Sequence, residues 1–323
     1  GPNCQGVYNA AIKLNLTGSA AIPPGDIGMI SQSGGLGAHA WRDASEDLGC
    51  GFSSFVSMGN QIDIRAHEYM AHMRDDADTR AVVVYLEGLR AGSGRQFIEA
   101  VRSTAQIKPV LVIKGGRTEF GQRAANSHTG SLVGTADVFS EAMREAGAIE
   151  VEHFEELLPI AQAMVHCPPP TTNALALIGF GGGHSTLAAD AIGLAGFDIP
   201  TFTPEMNEKL AQLLPVYAPK KNPVDLAGGY MTDLSVWITI LRLALEQPHI
   251  GGVLIYGPWG SFLPDLVTGA HSWKSISEDV TRLQREFGKP IITYSHTGRG
   301  DVYQNATMRA GGVPVFDRIS TAA

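Results

Sequence analysis

Cysteine is scarce in this chain: only Cys4, Cys50 and Cys167 occur among 323 residues. Their spacing fits neither a metal-ligand cluster nor a disulfide framework, so we expect no bound metal and a reducing, cytoplasmic setting. No apolar run approaches the roughly 20 residues of a membrane-spanning helix. Basic runs are also missing, and the net charge is −8. Neither a membrane nor a nucleic acid is therefore expected as a partner.

The N-terminus, Gly-Pro-Asn-Cys-Gln-Gly, has no initiator methionine and none of the charged and apolar regions of a signal peptide. We expect it to be the start of a fragment cut from a longer chain. The length exceeds that of one typical core, which predicts two domains. A mean hydropathy of +0.02 fits an ordinary buried core.

Short β-branched runs alternate with segments of helical periodicity, a pattern typical of parallel sheets covered on both faces. The predicted strands are 27–31, 52–57, 81–86, 109–113, 149–151, 174–178, 253–256 and 290–294. The predicted helices are 36–48, 64–75, 95–104, 135–146, 154–165, 185–195 and 276–287. Residues 167–173 contain three consecutive prolines and predict a stiff linker that neither pairs nor coils.

The two halves of the chain resemble each other. A strand at 81–85, a helix and Lys108-Pro109 are echoed by a strand at 252–256, a helix and Lys289-Pro290. Each half also begins with a strand that runs into a Gly-rich turn. We therefore predict an α/β fold of two similar doubly wound domains. Common ancestry of the halves stays open, because parallel α/β units look alike in sequence.

Each Gly-rich turn opens a predicted helix. Glycines let the backbone approach an anion closely, and the helix N-terminus supplies roughly half a positive charge. Neither turn matches a dinucleotide fingerprint or a P-loop. The alternative to an anion site is therefore, for both turns, a Gly-rich turn with no ligand. In the second turn, His184 could also be only a polar neighbour of the helix N-cap. The candidate phosphate-binding residues are Ser33, Gly34 and Gly35 in the first turn and Gly182, Gly183, His184 and Ser185 in the second.

His128 lies in a small, polar, Gly-flanked segment that we predict to be a loop. A neutral imidazole can take up and release a phosphoryl group if an acceptor holds its other nitrogen. Glu87, directly after the strand at 81–86, is the candidate acceptor, because ligands of such sheets bind beyond the strand ends. The alternative is a surface histidine and a solvent-exposed carboxylate. His296 repeats the tetrapeptide Ser-His-Thr-Gly, but it directly follows a strand and is interpreted as a loop residue.

Several motifs follow one another in a characteristic order. They are Gly-Pro-Asn-Cys-Gln-Gly at 1–6, Ser-Gln-Ser-Gly-Gly at 31–35, Ser-Met-Gly-Asn at 57–60 with Asp63, Glu-Gly at 87–88, Ser-His-Thr-Gly-Ser at 127–131 and Asn-Pro-Val-Asp-Leu at 222–226. In this order they resemble the NDP-forming acyl-CoA synthetases, relatives of succinyl-CoA synthetase. The resemblance implies two flavodoxin-like ligase domains at 26–166 and 174–323, joined by the linker at 167–173. Residues 1–25 would then be the remnant of a preceding CoA-binding domain and a connector.

The reaction that this resemblance implies is acyl-CoA + phosphate + ADP ⇌ acid + CoA + ATP, through an acyl phosphate and phospho-His128. Glu87 would steady the histidine. The implied substrate-binding residues are Asn3, Asn60, Asp225 and Trp259.

The same resemblance implies CoA, ATP or ADP, and phosphate as cofactors, with Mg²⁺ bound beside the nucleotide on a domain absent here. The implied partners are a CoA-binding Rossmann domain, an ATP-grasp domain or subunit, and a small carboxylic acid. Association into a homo-oligomer stays open. Without those domains, we expect no net synthetase activity from this fragment.

Two other functions remain open. The chain could be a non-catalytic, acyl-CoA- and phosphate-binding regulatory module of a fusion protein, or a related carbamoyl- or acyl-transferring protein. A sensor could lose its histidine, whereas this chain keeps both His128 and Glu87. That pair favours the enzyme.

Overall fold

The computed structural model describes residues 1–129, 136–226, 235–257, 273–295 and 303–323, with the backbone alone at 126–129, 273–274 and 303–304. These residues form two compact units, Gly1–Val165 and His166–Ala323. Each unit has its own sheet and its own buried apolar side chains. The two units are therefore described one at a time.

The first unit contains a seven-stranded sheet in the order β2-β1-β4-β3-β5-β6-β7. Its described strands are β1 (Val7–Asn9), β2 (Leu14–Asn15), β3 (Ile27–Ser31), β4 (Phe52–Ser57), β5 (Ala81–Leu86), β6 (Val110–Lys114) and β7 (Ile149–Glu150). The strands from β3 to β7 pair in parallel. Numbered among themselves, they have the order 2-1-3-4-5, which is the flavodoxin-like doubly wound order.

Helices cover both faces of this sheet. Successive side chains of a strand point to opposite faces, and Met29 and Ile30 of β3 accordingly belong to different core clusters. The described helices are α1 (Gly34–Arg42), α2 (Ala66–Asp75), α3 (Gly94–Ala105), α4 (Glu119–Thr129), α5 (Ala136–Glu145) and α6 (Leu157–His166).

The edge of this sheet includes residues that the sequence analysis did not assign to strands. β1 pairs antiparallel with β4, with Tyr8 opposite Phe55. Tyr8 is buried, and its ring packs edge-on against Trp41 at 5.0 Å between centroids. Part of the segment 1–25 is thus built into the first unit. Strands of two or three residues are too short to show a periodic pattern, so β1 and β2 were missed.

Two helical segments differ in kind from the prediction. The helix predicted at 36–48 is α1 followed by a π-helical turn at Asp43–Asp47. The prediction of a loop around His128 was wrong for the backbone, because α4 continues to Thr129. Alanines at 124 and 125 favour helix, and this propensity outweighs the turn preference of the Asn and Ser that follow.

The second unit contains a five-stranded parallel sheet in the order β12-β11-β10-β8-β9. Its described strands are β8 (Leu175–Gly179), β9 (Val224–Asp225), β10 (Gly252–Tyr256), β11 (Ile291–Tyr294) and β12 (Val315–Phe316). Numbered from β8, this is again the order 2-1-3-4-5. The prediction of two flavodoxin-like domains is confirmed.

The helices of the second unit surround one large core cluster in which Trp237 is fully buried against Phe180. The described helices are α7 (Gly182–Leu194), α8 (Pro204–Leu213), α9 (Ser235–Leu245), α10 (Trp273–Phe287), α11 (Tyr303–Ala310) and α12 (Ile319–Ala322). Of these helices, α7 and α10 were predicted from the sequence and the others were not.

The Pro-rich segment predicted as a linker does pair with the second unit. Thr171 N donates to Gly251 O at 3.1 Å, and the Thr172 hydroxyl donates to His249 O at 2.8 Å. The prolines of the segment cannot donate backbone hydrogen bonds, but the threonines that follow them can.

Candidate functional site

The first Gly-rich turn lies where β3 meets α1, at the carboxyl edge of the first sheet. Ser33 caps the helix, and its side chain accepts a hydrogen bond from Leu36 N at 3.3 Å. The Ser31 hydroxyl donates to Ser33 O at 2.6 Å and tightens the turn. Gly34 and Gly35 therefore supply the first N–H groups of the helix, where an anion is favoured.

Gln32 joins this turn to the end of β5. Its side-chain oxygen accepts hydrogen bonds from Glu87 N at 2.8 Å and Gly88 N at 3.0 Å. Its own backbone N–H donates to Tyr85 O at 3.0 Å. Between β3 and β5 the strand order of a flavodoxin-like sheet reverses, which is where such sheets bind ligands. Gln32 was not predicted as a site residue, since a lone glutamine in a sequence gives no sign of its hydrogen-bond partners.

Glu87 is buried at this position, with 8% of its surface exposed. Its carboxylate accepts a hydrogen bond from Tyr85 OH at 3.2 Å, and its carbonyl accepts one from Lys114 Nζ at 2.7 Å. The alternative of a solvent-exposed carboxylate is wrong. Burial first, and then the nearby Glu87 carboxylate, raise the pKa of Tyr85, so its hydroxyl stays a donor.

His128 lies in the last turn of α4, and its side chain is outside the described part of the structure. The helix follows β6, whose last residue Lys114 is in register with Leu86 of β5. The chain thus leaves the sheet at the edge where Glu87 lies. Contact between His128 and Glu87 stays a prediction.

A cavity of about 390 Å³ opens at the first turn. Asn3 lines this cavity together with the N-terminal end of α1, and Asn3 Nδ2 donates to Asn60 Oδ1 at 3.4 Å. The lining residues are Asn3, Cys4, Gln5, Gln32, Ser33, Gly34 and Gly35. Two of the predicted substrate-binding residues and the whole of the first turn, which is predicted to bind phosphate, therefore lie together.

Gly59 allows this approach of the N-terminal segment. Its φ of +55° is unfavourable for other residues, and a Cβ would clash with the carbonyl oxygen of Pro2. The next residue, Asn60, donates its backbone N–H to the same carbonyl at 3.1 Å. The glycine in the Ser-Met-Gly-Asn motif is thus required by backbone packing beside the cavity.

The second Gly-rich turn joins β8 to α7. Gly181 caps the helix at φ +97°, and its N–H donates to Asp225 Oδ1 at 3.0 Å. Asp225 ends β9, so the structure brings this predicted substrate-binding residue to the second turn. Its carboxylate already uses part of the positive potential at the helix N-terminus, and an anion bound near Gly182 and Gly183 would meet it there.

His184 and Ser185 contact aromatic side chains of the second unit. The His184 ring lies 6.3 Å from that of Tyr294, and Ser185 makes a side-chain hydrogen bond with Tyr256. Tyr256 OH donates to Val224 O at 2.7 Å, and burial raises the pKa of this tyrosine. Trp259 and His296 lie outside the described residues.

Within the described ranges, no group of three or more His, Cys, Asp or Glu side chains could hold a metal ion. No helix in the same ranges has both the length and the apolar character needed to cross a membrane.

Comparison with known proteins assigns both units. Residues 24–164 match the succinyl-CoA ligase like flavodoxin domain, and residues 175–315 match the ligase-CoA domain. The chain is 30% identical to the alpha subunit of acetate–CoA ligase [ADP-forming] II of Pyrococcus furiosus, over 98% of this chain and 67% of that protein. It belongs to the ADP-forming acyl-CoA synthetase family. The family predicted from the motifs is confirmed.

Other members of the synthetase family are also similar to this chain in sequence and in structure. The 4-hydroxybutyrate–CoA ligase [ADP-forming] of Nitrosopumilus maritimus is 30% identical over 98% of this chain and 44% of its own length. A solved structure of acetyl-coenzyme A synthetase 1 of Ca. Korarchaeum cryptofilum, in complex with phosphate and ADP, superposes with a TM-score of 0.84 at 27% identity. That match covers all of this chain and 68% of the synthetase. The chain corresponds to the alpha-subunit-like part of such ligases, and it spans half or less of several curated relatives.

Proposed function

We propose that this chain supplies the phosphohistidine part of an ADP-forming acyl-CoA synthetase, which catalyses acyl-CoA + phosphate + ADP ⇌ acid + CoA + ATP. The observation that carries the proposal is the buried carboxylate of Glu87, joined through Gln32 to the Ser33–Gly35 turn. A carboxylate that holds the phosphoryl-accepting histidine and an anion-binding helix end are what such a transfer needs at one place.

The proposed reaction has three steps. Phosphate attacks the thioester carbonyl and releases CoA, which gives an acyl phosphate. His128 then attacks the phosphorus, the bond to the carboxylate oxygen breaks, and the acid leaves. Finally the phosphoryl group passes from His128 to ADP, which forms ATP and restores the neutral imidazole. Glu87 accepts the hydrogen bond of the other ring nitrogen throughout and keeps the attacking nitrogen unprotonated.

The remaining site residues have proposed roles in the same scheme. The N–H groups of Ser33, Gly34 and Gly35 bind the phosphoryl group beside Glu87, and Gly182, Gly183, His184 and Ser185 bind it in the second unit. Asn3 and Asn60 bind substrate at the first turn, whereas Asp225 and Trp259 approach the acyl phosphate.

The proposed assembly extends beyond this chain. It comprises the domains at 26–166 and 174–323, the segment at 167–173, and a CoA-binding domain that ends within residues 1–25. An ATP-grasp domain or subunit would bind the nucleotide with Mg²⁺, and the whole would work in the cytoplasm. Relatives named for acetate and for 4-hydroxybutyrate indicate that the acid varies within the family.

Labelling of the full-length protein with [γ-³²P]ATP tests the proposal. We expect acid-labile, base-stable label that is lost in His128→Ala and kept in the matched variant His296→Ala. Glu87→Gln should slow labelling on the order of 100-fold, the usual size of an acid–base contribution. A complete assembly that takes up no label would contradict the enzyme and favour the regulatory module.

A further inference from the structure

A second cavity, of about 370 Å³, lies in the first unit between the end of β5 and the helices α3 and α5. Its wall is largely apolar and includes Leu86, Phe97, Phe139 and Met143. Leu86 and Gly88, which flank Glu87 in the chain, both line it. The cavity therefore lies at the same strand end as Glu87, the proposed partner of His128, and at the carboxyl edge of the sheet, where doubly wound folds bind ligands.

Lys114 supplies a cation to this apolar wall. It is only 6% exposed, and its Nζ lies 5.9 Å from the centroid of the Phe139 ring. Nζ donates to Glu87 O at 2.7 Å and to Gly115 O at 2.5 Å. An ammonium group has three donors, so these two carbonyls leave one for a further acceptor.

The carboxylates near Lys114 have other partners. Glu87 accepts from Tyr85 OH at 3.2 Å, and Glu150 lies 4.0 Å from the guanidinium of Arg117. Burial lowers the pKa of Lys114, against the opposite effect of both carboxylates, so a bound anion would gain by stabilising the charged ammonium. Arg90 adds a second cation at the exposed rim of the cavity.

We propose that this cavity binds the hydrocarbon part of a monocarboxylic acid larger than acetate, with the carboxylate bound to Lys114 and Arg90. The inference rests on the proposed function and names its substrate class: acids with an apolar chain or ring. Apolar pockets of about 300 Å³ or more are large enough to enclose a whole drug-sized ligand, so a two-carbon acid would leave most of this cavity unfilled. A carboxylate bound to Lys114 Nζ would lie beside the backbone carbonyl of Glu87, at the strand end where phosphoryl transfer is proposed.

Calorimetric titration of this chain with acetate, butyrate and hexanoate tests the proposal. Burying one methylene group corresponds to roughly fourfold in affinity, so hexanoate should bind well over tenfold tighter than acetate. Neutral hexanamide should bind more weakly than hexanoate, because it cannot use the two cations. Equal binding of acetate and hexanoate, or of hexanoate and hexanamide, would overturn the proposal.

Ala142→Phe tests the location, because Ala142 of α5 lines the cavity and a phenyl ring would fill it. Hexanoate binding should fall at least tenfold while acetate binding changes little. Ala100→Phe is the matched control, since Ala100 is also half-buried but lies on α3 outside the lining. Phe139→Ala, which enlarges the space, should shift the preference towards octanoate. If hexanoate binds both Ala142→Phe and Phe139→Ala like the unchanged chain, the acid binds elsewhere.

Failure of this inference can be told apart from failure of the proposed function. Label on His128 from ATP does not require the acid, so its absence counts against the phosphohistidine. If label forms on His128 but Ala142→Phe leaves the preference among acids unchanged, the phosphohistidine stands and the cavity is excluded as the acid site.

Discussion

Two amide side chains show how single residues of the sequence motifs act in the fold. Gln32 accepts the N–H groups of Glu87 and Gly88 in the first unit. Asn222 accepts Leu177 N at 2.9 Å and donates to Leu175 O at 2.8 Å in the second unit. Gln32 completes backbone hydrogen bonds at the candidate site and Asn222 does so in the amino-terminal half of β8, so both motif residues have a structural role.

The three cysteines should differ sharply in reactivity. Cys4 is exposed, whereas burial raises the pKa of Cys167 to about 12. Only the thiolate reacts, and an ordinary thiol has a pKa of about 8.5. At pH 8 we therefore expect Ellman's reagent to modify Cys4 rapidly and Cys167 only after unfolding.

The variant Cys4→Ser is the control, and it should remove the fast phase of this reaction. Because the folded pKa of Cys167 is raised, the stability that its protonated thiol contributes is present below the unfolded pKa and is lost as the pH rises towards 12. Rapid modification of Cys167 in the folded chain at pH 8 would contradict its burial.

At the scale of elements, the repeated Lys-Pro pair has the same role in both units. Lys108 Nζ donates to Met73 O at 2.8 Å and to Asp76 O, at the C-terminal end of α2. Lys289 Nζ donates to Leu245 O at 2.7 Å and to Gln247 O at 3.0 Å, at the end of α9. Each lysine precedes a strand and caps the helix that lies three elements earlier, beyond one helix and one strand. A cation there also interacts favourably with the helix dipole.

Removing either cap should destabilise its unit by a similar amount. Lys108→Met and Lys289→Met each lose two hydrogen bonds to carbonyl groups at a helix end, and we expect each to lower the free energy of unfolding by about 1 kcal/mol. Urea denaturation followed by circular dichroism measures the change. Lys209→Met is the matched control, since Lys209 is exposed on α8 and should have almost no effect. An equal loss in all three variants would show that the caps are not the cause.

At the scale of the whole molecule, the chain uses one strand order twice. Both described sheets have the doubly wound order 2-1-3-4-5, and each unit has its own core clusters. Stability is therefore expected to be local to each unit, because mutations at sites that share no contacts act additively.

Asn222→Ala tests this expectation. It would leave the backbone groups of Leu177, Leu175 and Pro200 without their amide partner, and an unsatisfied buried group costs about 1–3 kcal/mol. We expect hydrogen exchange to accelerate in β8 and β9 and to stay unchanged in β5. Asn207→Ala is the comparison: Asn207 is half-buried on α8, and its replacement should change hydrogen exchange little in these strands. Faster exchange throughout β5 as well would show that the units do not unfold separately.

The sequence predicted much of this protein because its long parallel strands are continuous apolar runs. β3, β5 and β10 were assigned nearly residue by residue, and the two Gly-rich turns were placed at the starts of α1 and α7. Elements with weak local signals were missed, such as β1, β9 and α8. Helical propensity at Ala124 and Ala125 was also underestimated, which made the prediction around His128 wrong.

The sequence by itself determined the alternation of strands and helices, the repeat of two units and the family, because these depend on local pattern and on motifs in order. Only the tertiary structure decided which side chains meet: Gln32 with Glu87, Asn3 with the first turn, Asp225 with Gly181, and Lys114 with its cavity. These pairs are far apart in the chain. They meet because parallel pairing brings the carboxyl ends of separate strands to one edge of a sheet.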